Sequence, residues 1–161
     1  TLYGNNVDMN NGRLRFKAIN TNELNYVDLG SNIMEGYTSV SVEFWFSGHA
    51  DSTDYARIFQ FGDANVESNL NSIRMQRSTL TSDLRYGYSI GTQQKIKDDT
   101  NVSWDGLTQT RQLALIVDDS AQTVSLYYEG VYQSSVLLNQ TSIIGNTSLN
   151  QLGYPVYGGV S

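Results

Sequence analysis

The side chains that most readily do chemistry are scarce and scattered in this chain. One histidine, His49, and no cysteine occur in 161 residues. A Ser-His-Asp relay needs a serine held against its histidine, and no elbow-like turn sets a serine beside His49. Zinc, which takes Cys and His, has no ligand set. The acids stand mostly alone, as Glu43, Asp63, Glu67 and Asp83 do. The adjacent pairs Asp98-Asp99 and Asp118-Asp119 fall in stretches that read as turns, where neighbouring side chains diverge or face solvent. Glu43 is the one acid inside a strongly apolar strand, on the face of Trp45. It is either a groove carboxylate or a solvent-facing strand residue. The glycines are spread one per turn, so neither a phosphate loop nor a dinucleotide fingerprint occurs. On these grounds the chain is expected not to be an enzyme.

Binding chemistry is better represented. Eleven tyrosines occur, and aromatic faces stack on sugar CH groups while amides read hydroxyls. Tyr86, Tyr88 and Tyr128 sit on apolar strand faces and are expected in the core, in line with tyrosine as an ordinary strand former. Tyr127, beside Ser125 and Glu129, is the better exposed candidate, and Tyr154 and Tyr157 lie in a loop. The net charge of −6 with only ten basic residues leaves no phosphate-neutralising stripe, which excludes nucleic acid as a partner. No apolar run approaches the roughly 20 residues of a membrane span, so no membrane insertion is expected. Charged residues make up only 16%, and a surface carried by hydroxyls and amides points to an extracellular or cell-surface protein. Asn101, Asn139 and Asn146 fit the N-glycosylation acceptor pattern, as chance alone predicts in a chain so rich in Asn, Ser and Thr. The chain starts at Thr1 without a signal segment, so either a leader has been removed or it is a piece of something longer.

These groups must be positioned by strands. Arg111 to Leu138 reads as three strands and two turns: Leu113, Leu115 and Val117 alternate, Asp118 to Ala121 breaks the run, Val124, Leu126 and Tyr128 alternate, and Glu129-Gly130 turns the chain again. In Ser39 to Ser47, Val40, Val42, Phe44 and Phe46 share the core face, and Ser41, Glu43 and Trp45 share the other. Leu14 to Ala18, Tyr26 to Leu29, Arg57 to Phe61, Ile73 to Gln76 and Leu84 to Ile90 add further strands, and one or two short ones are expected in Thr141 to Tyr154. Thr92 to Thr110 reads as a long polar loop holding Trp104. Ten to twelve short strands without a long helix or a repeat predict an all-β fold, a two-sheet antiparallel β-sandwich or jelly roll, as one domain over residues 1–161.

SVSVEFWF at Ser39–Phe46, RIFQFGD at Arg57–Asp63, NSIRMQ at Asn71–Gln76, LALIVDDSAQTVSLYYEG and QLGY, in that order, resemble a laminin-G-like domain of the concanavalin A-like lectin/glucanase superfamily. The resemblance covers most of the chain. It implies a recognition or adhesion module that binds glycan or an extracellular protein through rim loops. The alternatives are a structural subunit of an extracellular assembly and, third, a glycoside hydrolase. The glucanase branch carries its carboxylates as Glu-x-Asp-x-x-Glu on one strand, with the nucleophile and acid about 5 Å apart for retention, and no such triplet occurs here. The resemblance also implies calcium at the sandwich rim, with Asp63 and Asn71 as candidate ligands. Tyr154-Pro155-Val156-Tyr157 stands where pentraxins have acidic and amide residues, which argues against a paired calcium site. Family members often carry a Trp at the position of Thr110; Trp104 lies upstream and either supplies that packing or stands as a ligand platform. The family's closing strand has no counterpart before Ser161. Three readings follow: a module of a longer parent protein, self-assembly through an open strand edge that takes a neighbour's strand, or an alignment one strand out of register.

Overall fold

Period-two alternation resolves into two antiparallel sheets facing one another. The computed structural model describes residues 1–3, 7–16, 25–48, 56–62, 72–78, 81–90, 93–138 and 147–153. The strands are β1 (Leu2–Tyr3), β2 (Val7–Asn10), β3 (Arg13–Phe16), β4 (Tyr26–Asp28), β5 (Ser39–Phe46), β6 (Arg57–Gly62), β7 (Ser72–Arg77), β8 (Asp83–Ile90), β9 (Gln93–Ser103), β10 (Arg111–Asp118), β11 (Thr123–Tyr128), β12 (Val131–Leu137) and β13 (Leu149–Leu152). One sheet runs β1-β4-β13-β6-β7-β8-β9, the other β12-β11-β10-β5, and β2-β3 forms a separate hairpin. The three strands expected between Arg111 and Leu138 are β10, β11 and β12. The only helical element among the described residues is a 3-10 turn at Asp105–Thr108.

The core lies between the sheets. Phe59, Met75, Leu84 and Tyr86 from the larger sheet meet Leu113, Leu115, Val117, Val124 and Leu126 from the smaller, all of them fully buried. Phe44 meets Phe59 edge to face at 5.9 Å, the T-shaped arrangement that aromatic quadrupoles favour. Removing an aliphatic side chain from such a layer typically costs about 2–5 kcal/mol.

Two expectations are corrected. Most of the segment read as a polar loop is the eleven-residue strand β9. It escapes notice because it pairs only with β8 at the sheet's edge and exposes Lys95 and Lys97. Asp98 and Asp99 therefore lie in a strand rather than a turn and point to opposite faces. β8 and β9 approach so closely that a Cβ on Gly87 would strike the Lys95 carbonyl oxygen. Only glycine fits there.

The two sheets are joined by a polar chain at the β9–β12 side. Ser134 on β12 donates to the buried Asp99 carboxylate, so Tyr86, 2.8 Å from the same Ser134 oxygen, must donate to it. Asp99 also accepts from the Asn101 backbone N–H at 3.0 Å. Tyr88 donates to the Leu137 carbonyl at 3.0 Å. Burial pushes the Tyr86 phenol up to about 12. The neutral phenol is thus favoured by folding, and its contribution to stability is complete below pH 10 and disappears as pH rises through 10 to 12. The Tyr86→Phe variant is expected to be less stable at pH 7 by about 1–2 kcal/mol, the worth of a buried hydrogen bond. That deficit should vanish or reverse by pH 12, because a shift of about two pKa units corresponds to about 2–3 kcal/mol. Urea unfolding of both proteins from pH 7 to 12 measures this, and a deficit constant with pH would contradict it.

Candidate functional site

The outward face of the smaller sheet is built by the register that fills the core. β10 pairs with β5 so that Gln112 lies opposite Trp45 and Ala114 opposite Glu43. β10 pairs with β11 so that Ala114 also lies opposite Tyr127. Strand neighbours of one row share a face, so Glu43, Ala114, Tyr127 and Tyr132 form one row across four strands. Trp45, Gln112 and Glu129 form the next. Trp45 is 68% exposed and Tyr132 53%. The tyrosine rings meet edge to face, 5.7 Å apart at 71°. The Tyr132 hydroxyl donates to Ser135 at 3.2 Å.

Gln112 holds two carboxylates in this face. Its side-chain amide donates to Glu43, and its backbone N–H donates to Glu129 at 2.6 Å. Ala114, with only a methyl group, leaves a low floor between Glu43 and Tyr127. The result is a shallow surface with aromatic walls and acceptors of fixed position.

Tyr132 reaches this face through a bulge. Leu126 pairs with Ser134 and Tyr127 with Tyr132, so Gln133 is an extra residue in β12. In an unbroken strand Tyr132 and Ser134 would share a face. The bulge sends Tyr132 outward and Ser134 into the core network.

The expected site residues are dispersed. Tyr127 is on the aromatic face. Trp104 is not a ligand platform: it is 2% exposed, with its ring 5.0 Å from that of Phe46. The 3-10 turn that follows folds it inward, where its apolar area is removed from water. Asn101 is exposed on β9. Asp63, Asn71, Tyr154, Tyr157, Asn139, Asn146 and His49 lie outside the described residues. Among the described residues no three His, Cys, Asp or Glu side chains cluster as a metal would need, and no helix is long and apolar enough to cross a membrane. Trp45 could have been found from alternation alone, since it opposes the core face of its strand. Gln112, Glu129 and Tyr132 need the cross-strand register.

A buried polar layer lies on the side of the larger sheet turned from the core. Gln60, Ser72, Gln76 and Ser89 are buried there, each with a side-chain oxygen that has no hydrogen-bond partner among the described residues. Arg85 clamps Asp98 with two bonds of 2.6 and 2.8 Å, and this bonding holds the Asp98 carboxyl below the usual carboxylate range.

No protein-family model matches the sequence, and no curated protein does. Among solved structures, a Bacillus licheniformis β-glucanase matches with a TM-score of 0.50 and 16% identity, over 98% of this chain and 77% of that one. The likeness is one of fold, and it supports the concanavalin A-like jelly-roll sandwich without singling out laminin-G-like domains. It also corrects the expectation that the chain is not an enzyme, because the solved structure matched over nearly the whole chain is an enzyme. A carboxylate triplet on one strand is too narrow a criterion for a sheet. Cross-strand pairing gathers Glu43 and Glu129 around one glutamine although they are far apart in sequence.

The two tryptophans differ enough to be told apart in solution. Trp45→Phe should leave one blue-shifted emitter that acrylamide quenches several-fold less than the wild type, and Trp104→Phe should leave the accessible one. Equal quenching of the two variants would contradict the placement of Trp104.

Proposed function

We propose that the protein is a laminin-G-like, glycan-binding module of a secreted or cell-surface protein, and that it takes an oligosaccharide segment across the outward face of the β5–β10–β11–β12 sheet. The observation that carries this reading is the exposure of Trp45 and Tyr132 on one flat face with the Glu43–Gln112–Glu129 group between them. The aromatic planes receive sugar CH faces, and the carboxylates and amide meet the hydroxyls. Trp45 and Tyr132 stand three strand spacings apart, about 14 Å, which suits a chain of sugars better than a single one. An isolated aromatic exposed to this extent is unremarkable on a protein surface. Three aromatics interleaved with fixed acceptors on one face need a further explanation.

The likeness to a β-glucanase makes soluble β-glucan the first probe, alongside other neutral polysaccharides. Trp45→Ala and Tyr132→Ala should each weaken binding tenfold or more in affinity electrophoresis or calorimetry, since covering one aromatic face is worth about 2 kcal/mol. Glu43→Gln should weaken it less. The same mixtures, assayed for new reducing ends, show whether cleavage accompanies binding. Absence of retardation by every polysaccharide, or a Trp45→Ala protein that binds like the wild type, would refute the assignment.

A further inference from the structure

β5 is hydrogen-bonded to β10 on one side, and among the described residues no strand lies on its other side. The direction of its free groups follows from one bond. Asp119 N–H donates to the Thr38 carbonyl at 3.0 Å, so Thr38 faces β10. Antiparallel pairing alternates, so Val40, Val42, Phe44 and Phe46 also turn their backbone groups to β10. Ser39, Ser41, Glu43 and Trp45 turn theirs outward. Among the described residues no helix or strand covers this edge, and Glu43 is its only charged residue. It carries no lysine or proline and runs eight residues in unbroken register with β10. The opposite edge of the same sheet, β12, is tied to β9 through Ser134 and Asp99. The core-facing side chains of β5, Val40, Val42, Phe44 and Phe46, are only partly buried, whereas Leu113, Leu115 and Val117 beside them are fully buried. A pocket of about 220 Å³ lined by Ile33, Tyr37, Ser39, Val40 and Ser41 adjoins the edge.

We propose that β5 pairs antiparallel with β5 of a second copy of this chain, with the two-fold axis between the two Val42 residues. Symmetric pairing must join outward-directed groups, which leaves three central registers. Centring on Glu43 sets two carboxylates directly opposite, which is destabilising. Centring on Ser41 aligns Trp45 with Tyr37, outside the strand. Centring on Val42 sets Ser41 against Glu43 and Ser39 against Trp45, and engages all four outward residues of each strand. On the core side it sets Val40 against Phe44 and Val42 against Val42, so apolar side chains that one copy leaves partly exposed cover each other. Serine hydroxyls meet the Glu43 carboxylates. The product is one continuous eight-stranded sheet with the Trp45 faces of both copies on the same side. The two copies each carry a net charge of −6, so association strengthens as salt screens their repulsion.

The chain has no cysteine, so single cysteines report the register directly. Non-hydrogen-bonded antiparallel partners have Cα atoms about 4.5 Å apart, within the range that a disulfide spans. Val42→Cys should oxidise to a covalent dimer of about twice 17.9 kDa, and Ser41→Cys, which faces Glu43, should not. Sedimentation equilibrium of the wild type should rise with concentration from the monomer to the dimer mass, and further at higher salt. A wild type that stays at the monomer mass at millimolar concentration, with Val42→Cys no faster to cross-link than Ser41→Cys, would overturn the proposal. So would preferential cross-linking through Ser41→Cys, or growth of the wild type beyond a dimer.

Discussion

The register of β10 is the constraint on which the smaller sheet depends. Its odd residues, Leu113, Leu115 and Val117, are fully buried, and its even residues, Gln112 and Ala114, floor the aromatic face. The same pairing decides which backbone groups of β5 turn toward β10 and which turn away. Side-chain period in a strand is two, so a slip of one residue would exchange all three sets at once. Core, outward face and free edge are therefore one structural decision, and the cost of burying Gln112 or exposing Leu115 enforces it.

Much of this was legible in the residues. Alternation in 111–138 and 39–46 is strong enough to place strands and to assign Tyr127, Glu43 and Trp45 to the side away from the core. β9 was not legible, because an edge strand with solvent on one flank needs no apolar alternation. Its Asp98-Asp99 pair looks like a turn until the pairing with β8 sends one carboxylate to Arg85 and the other to Ser134. Trp104 resembled a stranded loop residue because the turn that folds it against Phe46 has no local hydrophobic period. Sheet order was also beyond reach. β13 lies between β4 and β6, and only long-range contacts dictate that.

The candidate site illustrates why motif spacing is a weak test on β-sandwiches. Glu43 and Glu129 lie far apart in sequence and form no spacing motif, yet both bond to Gln112. A sheet assembles its chemistry across strands, so groups that act together come from different hairpins. The β-glucanase likeness carries the same lesson in the other direction: one sandwich supports catalysis in one protein, and the fold by itself leaves the chemistry of another to its side chains.

The extra residue Gln133 couples two parts of the molecule that otherwise have nothing in common. It sets Tyr132 outward and Ser134 inward, so the ligand-facing surface and the polar tie between the sheets share one irregularity. Deleting Gln133 would leave Tyr132 and Ser134 as neighbours in an unbroken strand, still on opposite faces, whereas a regular strand that kept Gln133 would put both on one face. Over evolutionary time this hairpin can therefore lose that one residue without exchanging its two faces, because the loss only straightens β12. In any set of homologous chains, a one-residue gap between Tyr132 and Ser134 would mark a protein with a regular β12 and the same division between surface and interior.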